Sequence, residues 1–84
     1  MGRKTKFVIE LWENHYMREW RFADGKGGVN YVENPHDATC YSLAAAKRRS
    51  EEIRKGKEAM GMDARRFPRV VKVVTELIPI NNNH

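Results

Sequence analysis

Arg69-Val70-Val71-Lys72-Val73-Val74-Thr75-Glu76-Leu77-Ile78, bounded by Pro68 and Pro79, is the stretch on which the fold class turns. Its valines pack well on a pleated surface, and the flanking prolines cannot continue a ladder, so it predicts a strand lying inside a sheet. Alternation puts Val71, Val73, Thr75 and Leu77 on a nearly dry face and Val70, Lys72, Val74, Glu76 and Ile78 on a mixed one. The chain just upstream has a different period. Ser42 can cap a helix by accepting a bond from an orphan N–H, and Leu43-Ala44-Ala45-Ala46-Lys47-Arg48-Arg49 leads on through strong helix formers to Lys55. Leu43, Ala46, Ser50 and Ile53, with Met60 if the helix continues, form a narrow stripe suited to close packing on a sheet. Glu51 and Lys55 are spaced for an ion pair; Gly56 either caps the helix or is tolerated within it, and Gly61 is the later stop.

Before the helix the period of two returns. Lys6 to Trp12 sets Phe7, Ile9 and Leu11 on one face and Val8, Glu10 and Trp12 on the other. Glu13-Asn14-His15 carries turn chemistry, and Tyr16 to Phe22 predicts a second strand paired to the first as a hairpin. Arg18 falls on its aromatic face, which implies that its stem covers a ring or that a bulge near Met17 alters the alternation. Asp24-Gly25-Lys26-Gly27-Gly28 is a flexible turn, Val29 to Glu33 a short third strand, and Asn34-Pro35-His36-Asp37 ends it.

The order is therefore β-β-β-α-β: an α+β domain with an antiparallel-rich four-stranded sheet and one helix packed on one face. Residues 6–80 make this single domain, residues 1–5 a flexible basic N-terminus and residues 81–84 a disordered tail. A lone helix shelters one side of such a sheet. If that side carries Phe7, Ile9 and Leu11, then Val8, Trp12, Val70, Val74 and Ile78 form an open apolar face that a second copy or a target would cover.

The 84 residues include sixteen Lys and Arg against eleven Asp and Glu, a formal charge of +5. The whole excess lies between Lys47 and Arg69, where Lys47, Arg48, Arg49, Arg54, Lys55, Lys57, Arg65, Arg66 and Arg69 stand against Glu51, Glu52, Glu58 and Asp63. That density suits phosphates or acidic protein faces, and equally suits a solvated helix face. Lone Cys40 allows no intramolecular disulfide, no run approaches the ~20 apolar residues of a membrane span, and the apolar run after the basic start is too short for a signal peptide. These features point to the cytosol and to no membrane partner.

Catalytic and metal signals are weak. His36 and Cys40 lack further ligands, and Cys40 has no patterned base. The glycine-rich turn feeds a strand rather than a helix, unlike a phosphate cradle, and Glu51 and Glu52 point in different directions. No enzyme, metal or cofactor is expected.

Asp37-Ala38-Thr39-Cys40-Tyr41-Ser42-Leu43-Ala44-Ala45-Ala46, set between a strand hairpin and a valine-rich final strand, resembles a pattern found in small accessory proteins of phages and mobile elements, a group that includes anti-CRISPR and other host-takeover inhibitors. The resemblance spans Phe7 to Ile80. It implies that Tyr41 anchors the start of the helix, that Ala45 or Ala46 packs close to the sheet, and that the protein occludes a surface on a larger host assembly. Acidic mimicry of nucleic acid is disfavoured by the positive charge. The three strands and helix also resemble plant AP2-type and integrase arm-type DNA-binding domains, which implies major-groove contacts from Arg18, Trp20 and Arg21. The expected function is thus non-enzymatic binding of a host protein or nucleoprotein through the basic segment and an exposed sheet face carrying Trp12, Arg18, Trp20 and Arg21. Direct DNA or RNA binding by the same surfaces is the alternative, and a homodimer is possible.

Overall fold

A computed structural model describes residues 2–77, in which β1 (Gly2–Trp12), β2 (His15–Arg21), β3 (Gly27–Val32), a 3₁₀ turn (Pro35–Asp37), α1 (Leu43–Ala59) and β4 (Arg69–Leu77) follow in order. The strands form one antiparallel sheet in the order β3-β2-β1-β4. This is the α+β class expected from the periodicities. The expected disordered tail, residues 81–84, lies outside the described residues, as do Ile78 to Ile80.

Several local expectations hold. Ser42 Oγ accepts the Ala45 N–H at 3.2 Å to cap α1. The helix runs through Gly56 and stops where Gly61 takes φ +75°, a conformation that costs a side-chain-bearing residue but not glycine. Ala46 and Ser50 are buried and Ile53 half-buried, whereas Leu43 and Met60 at the stripe's ends are exposed.

Others are corrected. β1 starts at Gly2 rather than Lys6, because Gly2 to Thr5 pair with Leu77 to Val74 on β4, so the stretch expected to be flexible is strand from Gly2 onward. β4 lies at the sheet's edge, bonded to β1 alone among the described strands, and not inside the sheet. Register also reassigns the faces. Val70 pairs with Ile9 and Val74 with Thr5, which places both on the helix-bearing side instead of the open one. The bulge lies in β1, between Glu10 and Trp12, and not near Met17; it turns Trp12 to the same side as Leu11.

The largest departure concerns the face away from the helix. β1 and β2 share only the registered pairs Glu10–Tyr16 and Trp12–His15, then diverge. Residues 39–41 fill the gap: Thr39 donates its N–H to Met17 O at 3.1 Å and Tyr41 donates its N–H to Phe7 O at 2.9 Å, while Thr39 Oγ1 accepts the Glu19 N–H at 2.8 Å. On one side of this wedge Ala38 packs with Val8 and Val73, ringed by Tyr16, Val32 and Val71. On the other, Tyr41 and Ile53 pack against Ile9, Leu11 and Met17. The chain thus passes through the sheet, sealing its second face with Ala38 and emerging under the helix with Tyr41. Val8, expected on an open surface, is fully buried.

Both central positions of β1 are therefore core. Val8→Asp and Ile9→Asp should each destabilise the domain by more than about 3 kcal/mol, since each buries an unpaired charge. Lys26→Ala, in an exposed turn, should stay within about 0.5 kcal/mol of wild type in urea denaturation. Tolerance of Val8→Asp would show the second face to be open.

Candidate functional site: an aromatic hairpin beside arginine struts

Four of the nine basic residues between Lys47 and Arg69 reach other elements: Arg49, Arg54, Lys57 and Arg69. Arg49 holds Glu19 of β2 from the helix through Nε at 2.9 Å and Nη2 at 2.8 Å, and reaches Glu52 at 3.2 Å. The Tyr41 hydroxyl donates to the same Glu19 carboxylate, so one acid ties β2, the wedge and α1 together. Burial alone would raise the Glu19 carboxyl; the bonds from Tyr41 and Arg49, with Arg21 nearby, outweigh it and hold the group below its ordinary value. Burial and the same carboxylate push the Tyr41 phenol upward.

Arg54 donates to the carbonyls of Ala64 and, at 2.6 Å, Pro68, which fixes the loop between α1 and β4. Lys57 Nζ donates to Leu11 O at 3.3 Å. Arg69 meets the buried Glu10 at 2.5 Å, and Glu10 Oε2 accepts the Asn14 N–H at 2.8 Å, so the first turn and the start of β4 share one carboxylate. Arg65 pairs with neighbouring Asp63 at 3.1 Å, chiefly through a side-chain hydrogen bond that holds that exposed carboxyl down to about 2. Arg66 and Arg69 lie 5.2 and 5.1 Å from the Phe67 ring. Lys47, Arg48 and Lys55 are exposed on α1, interleaved with Glu51 and Glu58. The expected Glu51–Lys55 pair does not form; Glu51 turns to Arg54 at 3.5 Å, because Arg54 is already anchored beside it. Four members of the basic segment are thus struts, while Lys47, Arg48, Lys55, Arg65 and Arg66 remain exposed. Sequence spacing alone could not show this, since the partners lie on other elements.

The four residues expected on one exposed sheet face are all exposed but divide between two sides. Arg18 and Trp20 share a side with Tyr16, and the Trp20 ring lies over Gly28, where a Cβ would come within 2.6 Å of it. Phe22 packs edge-on to Trp20 at 4.9 Å. Arg21 is on the opposite, helix-bearing side with Glu19, and the bulge brings Trp12 to that side too, where it stacks on His15 at 4.8 Å and meets Tyr31 edge-on at 4.8 Å. The helix packs on β1 and β4 and reaches β2 through Arg49 and Ile53, and the hairpin beyond those contacts is exposed. A shallow cleft there is lined by Glu19, Arg21, Gly27, Val29 and Arg49.

The β2–β3 hairpin and the end of β1 therefore form an aromatic finger. Trp12 (43% exposed), Val29 (47%) and Tyr31 (51%) lie on one side, Trp20 (43%) and Phe22 (62%) on the other. Val29, Tyr31 and Phe22 were not among the expected site residues. Their signal was available in composition, as apolar residues flanking a glycine turn, but their exposure depends on where the helix lands.

Among the described residues no group of three or more His, Cys, Asp or Glu is placed to hold a metal ion, and no helix is long and apolar enough to cross a membrane. Cys40 is exposed, its Sγ 3.7 Å from Ala38 O. No protein-family model, curated protein or solved structure matches the chain.

Two measurements test the strut assignment. Arg54→Ala should cost about 1–3 kcal/mol by leaving buried carbonyls unpaired, whereas Lys47→Ala should stay within about 0.5 kcal/mol. Glu19 has a lowered native pKa, so its contribution is complete above the unfolded value of about 4.3 and is lost as pH falls through the native value. Glu19→Gln should therefore destabilise the protein at pH 7 and flatten its stability profile below about pH 4.3; an unchanged acid profile would contradict the assignment.

Proposed function

We propose that this protein is a non-enzymatic accessory module that binds a larger protein or nucleoprotein through the β2–β3 hairpin. One observation carries the reading: of the nine large apolar side chains exposed among the described residues, five lie on that hairpin and the adjoining end of β1, at 43–62% exposure. Small domains rarely leave such a cluster uncovered without a use for it. Trp, Tyr and Arg carry a disproportionate share of interface energy, and Arg18 and Arg21 flank the rings on either side. The resemblance to phage and mobile-element accessory proteins fits a host assembly in the cytosol as the partner, with occlusion as the mode of action.

Direct nucleic-acid binding is the second reading. It is supported by Trp20, Phe22 and Arg18 on one side of the hairpin, a combination suited to stacking bases above a phosphate contact. The inward-facing arginines weigh against a continuous phosphate track along the helix.

A photo-crosslinker at exposed position 29 should capture a specific protein from nuclease-treated host lysate, and one at position 55 should not. Phe22→Ala and Tyr31→Ala should each weaken that capture about tenfold or more while costing about 1 kcal/mol or less of stability. Binding of single-stranded DNA or RNA near micromolar, with steep salt dependence and no nuclease-resistant protein, would replace the leading reading with the second.

A further inference from the structure

Among the described residues the outer edge of β4 is an unused pairing template, and the direction of its bonding groups follows from the wedge. Tyr41 donates to Phe7 O, so the Phe7 carbonyl points away from β4. In an antiparallel ladder both backbone groups of a residue point the same way and alternate along the strand. Lys6, Val8 and Glu10 therefore face β4 and bond their register partners Val73, Val71 and Arg69. It follows that Val70, Lys72, Val74 and Glu76 turn their N–H and C=O groups outward, where no other described strand meets them.

Charge is the one guard within this edge: from Arg69 to Leu77 it contains no proline, glycine or bulge, and its exposed charges Arg69, Lys72 and Glu76 are of both signs, so they repel a second strand in some registers and attract it in others. The opposite edge, β3, is shorter and begins with Gly27 and Gly28. The β1–β4 arm is also short of neighbours: from Gly2 to Lys6, β1 has no strand on its other side among those described, leaving a two-stranded ribbon of marginal stability. Val74 on this ribbon is half exposed.

We infer that the chain forms a symmetric dimer by antiparallel pairing of β4 with β4 of a second copy, about a two-fold axis at Val74. Charge selects the register. Centred on Val74, Lys72 of each copy lies opposite Glu76 of the other, with both ion pairs on the side that carries Val74, and Val73 lies opposite Thr75 on the reverse side. Centring on Lys72 opposes like charges, and centring on Val73 sets Lys72 against Val74 and leaves Glu76 without a basic partner. The product is an eight-stranded sheet in which each ribbon becomes part of a four-stranded platform and the two hairpins stand at its far edges. The inference rests on the β4 edge and is independent of what the hairpin binds.

Sedimentation velocity from about 1 to about 200 µM tests it. Wild type should self-associate within that range. Lys72→Glu and Glu76→Lys should each raise the dissociation constant about tenfold or more, by replacing two attractive pairs with two repulsive ones. The double variant should return to within about threefold of wild type. Val74→Pro removes an outward donor without touching the bonds to β1, and should give a monomer with unchanged circular dichroism. A wild-type monomer throughout the range, singles that weaken association without rescue in the double, or a folded Val74→Pro dimer would each overturn the inference.

Discussion

The structure depends on how residues 39–41 fill the split between β1 and β2. Two strands that separate leave N–H and C=O groups facing one another across a gap too wide to bridge, and an orphaned backbone group in a protein interior is costly. Thr39 and Tyr41 satisfy both banks, one through Met17 O and the Glu19 N–H, the other through Phe7 O. Because the segment runs between the strands rather than over them, its two ends emerge on opposite faces. Ala38 then closes the Val8 cluster and Tyr41 joins the Ile9 cluster, so both sides of β1 are covered although the described residues contain one α-helix.

The electrostatics follow the same logic. Arg49, Arg54 and Arg69 each join elements distant in sequence, and in each case the guanidinium fork meets two acceptors or two contacts that a lysine could not hold together. Part of the charge excess that looks like a binding surface in the sequence, namely Arg49, Arg54, Lys57 and Arg69, ties elements together in the fold. What remains free on α1 is interleaved with acids and suits solvation. The chemically distinctive surface is instead the hairpin, where the helix fails to reach and the rings remain in contact with water.

How much of this was legible depends on range. Period-two alternation identified β1 and β4, and local chemistry identified the Ser42 cap and narrowed the helix stop to Gly56 or Gly61, because each is settled within a few residues. Gly2 to Thr5 escaped notice because a polar ribbon has no apolar alternation; only its pairing with β4 makes it strand. A single bulged residue moved Trp12 across the sheet, which no count of alternation shows. The edge position of β4 and the wedge are long-range facts, and neither Ala38 nor Tyr41 carries a periodic signal. For the site, residue types were readable but their use was not: Arg49 and Arg54 look the same in sequence as Arg48, and only tertiary partners separate a strut from a surface charge.

Site-resolved amide hydrogen exchange at Thr39 and Tyr41 is the most direct check on the threaded segment. If both amides lie between β1 and β2, they should be protected to within about tenfold of Val8 in the centre of the sheet, opening only when the sheet opens. Exchange at the rate of an exposed loop, with Val8 still protected, would mean that the segment merely rests on the surface, that the second face is open, and that the hairpin is not the main apolar surface available to a partner.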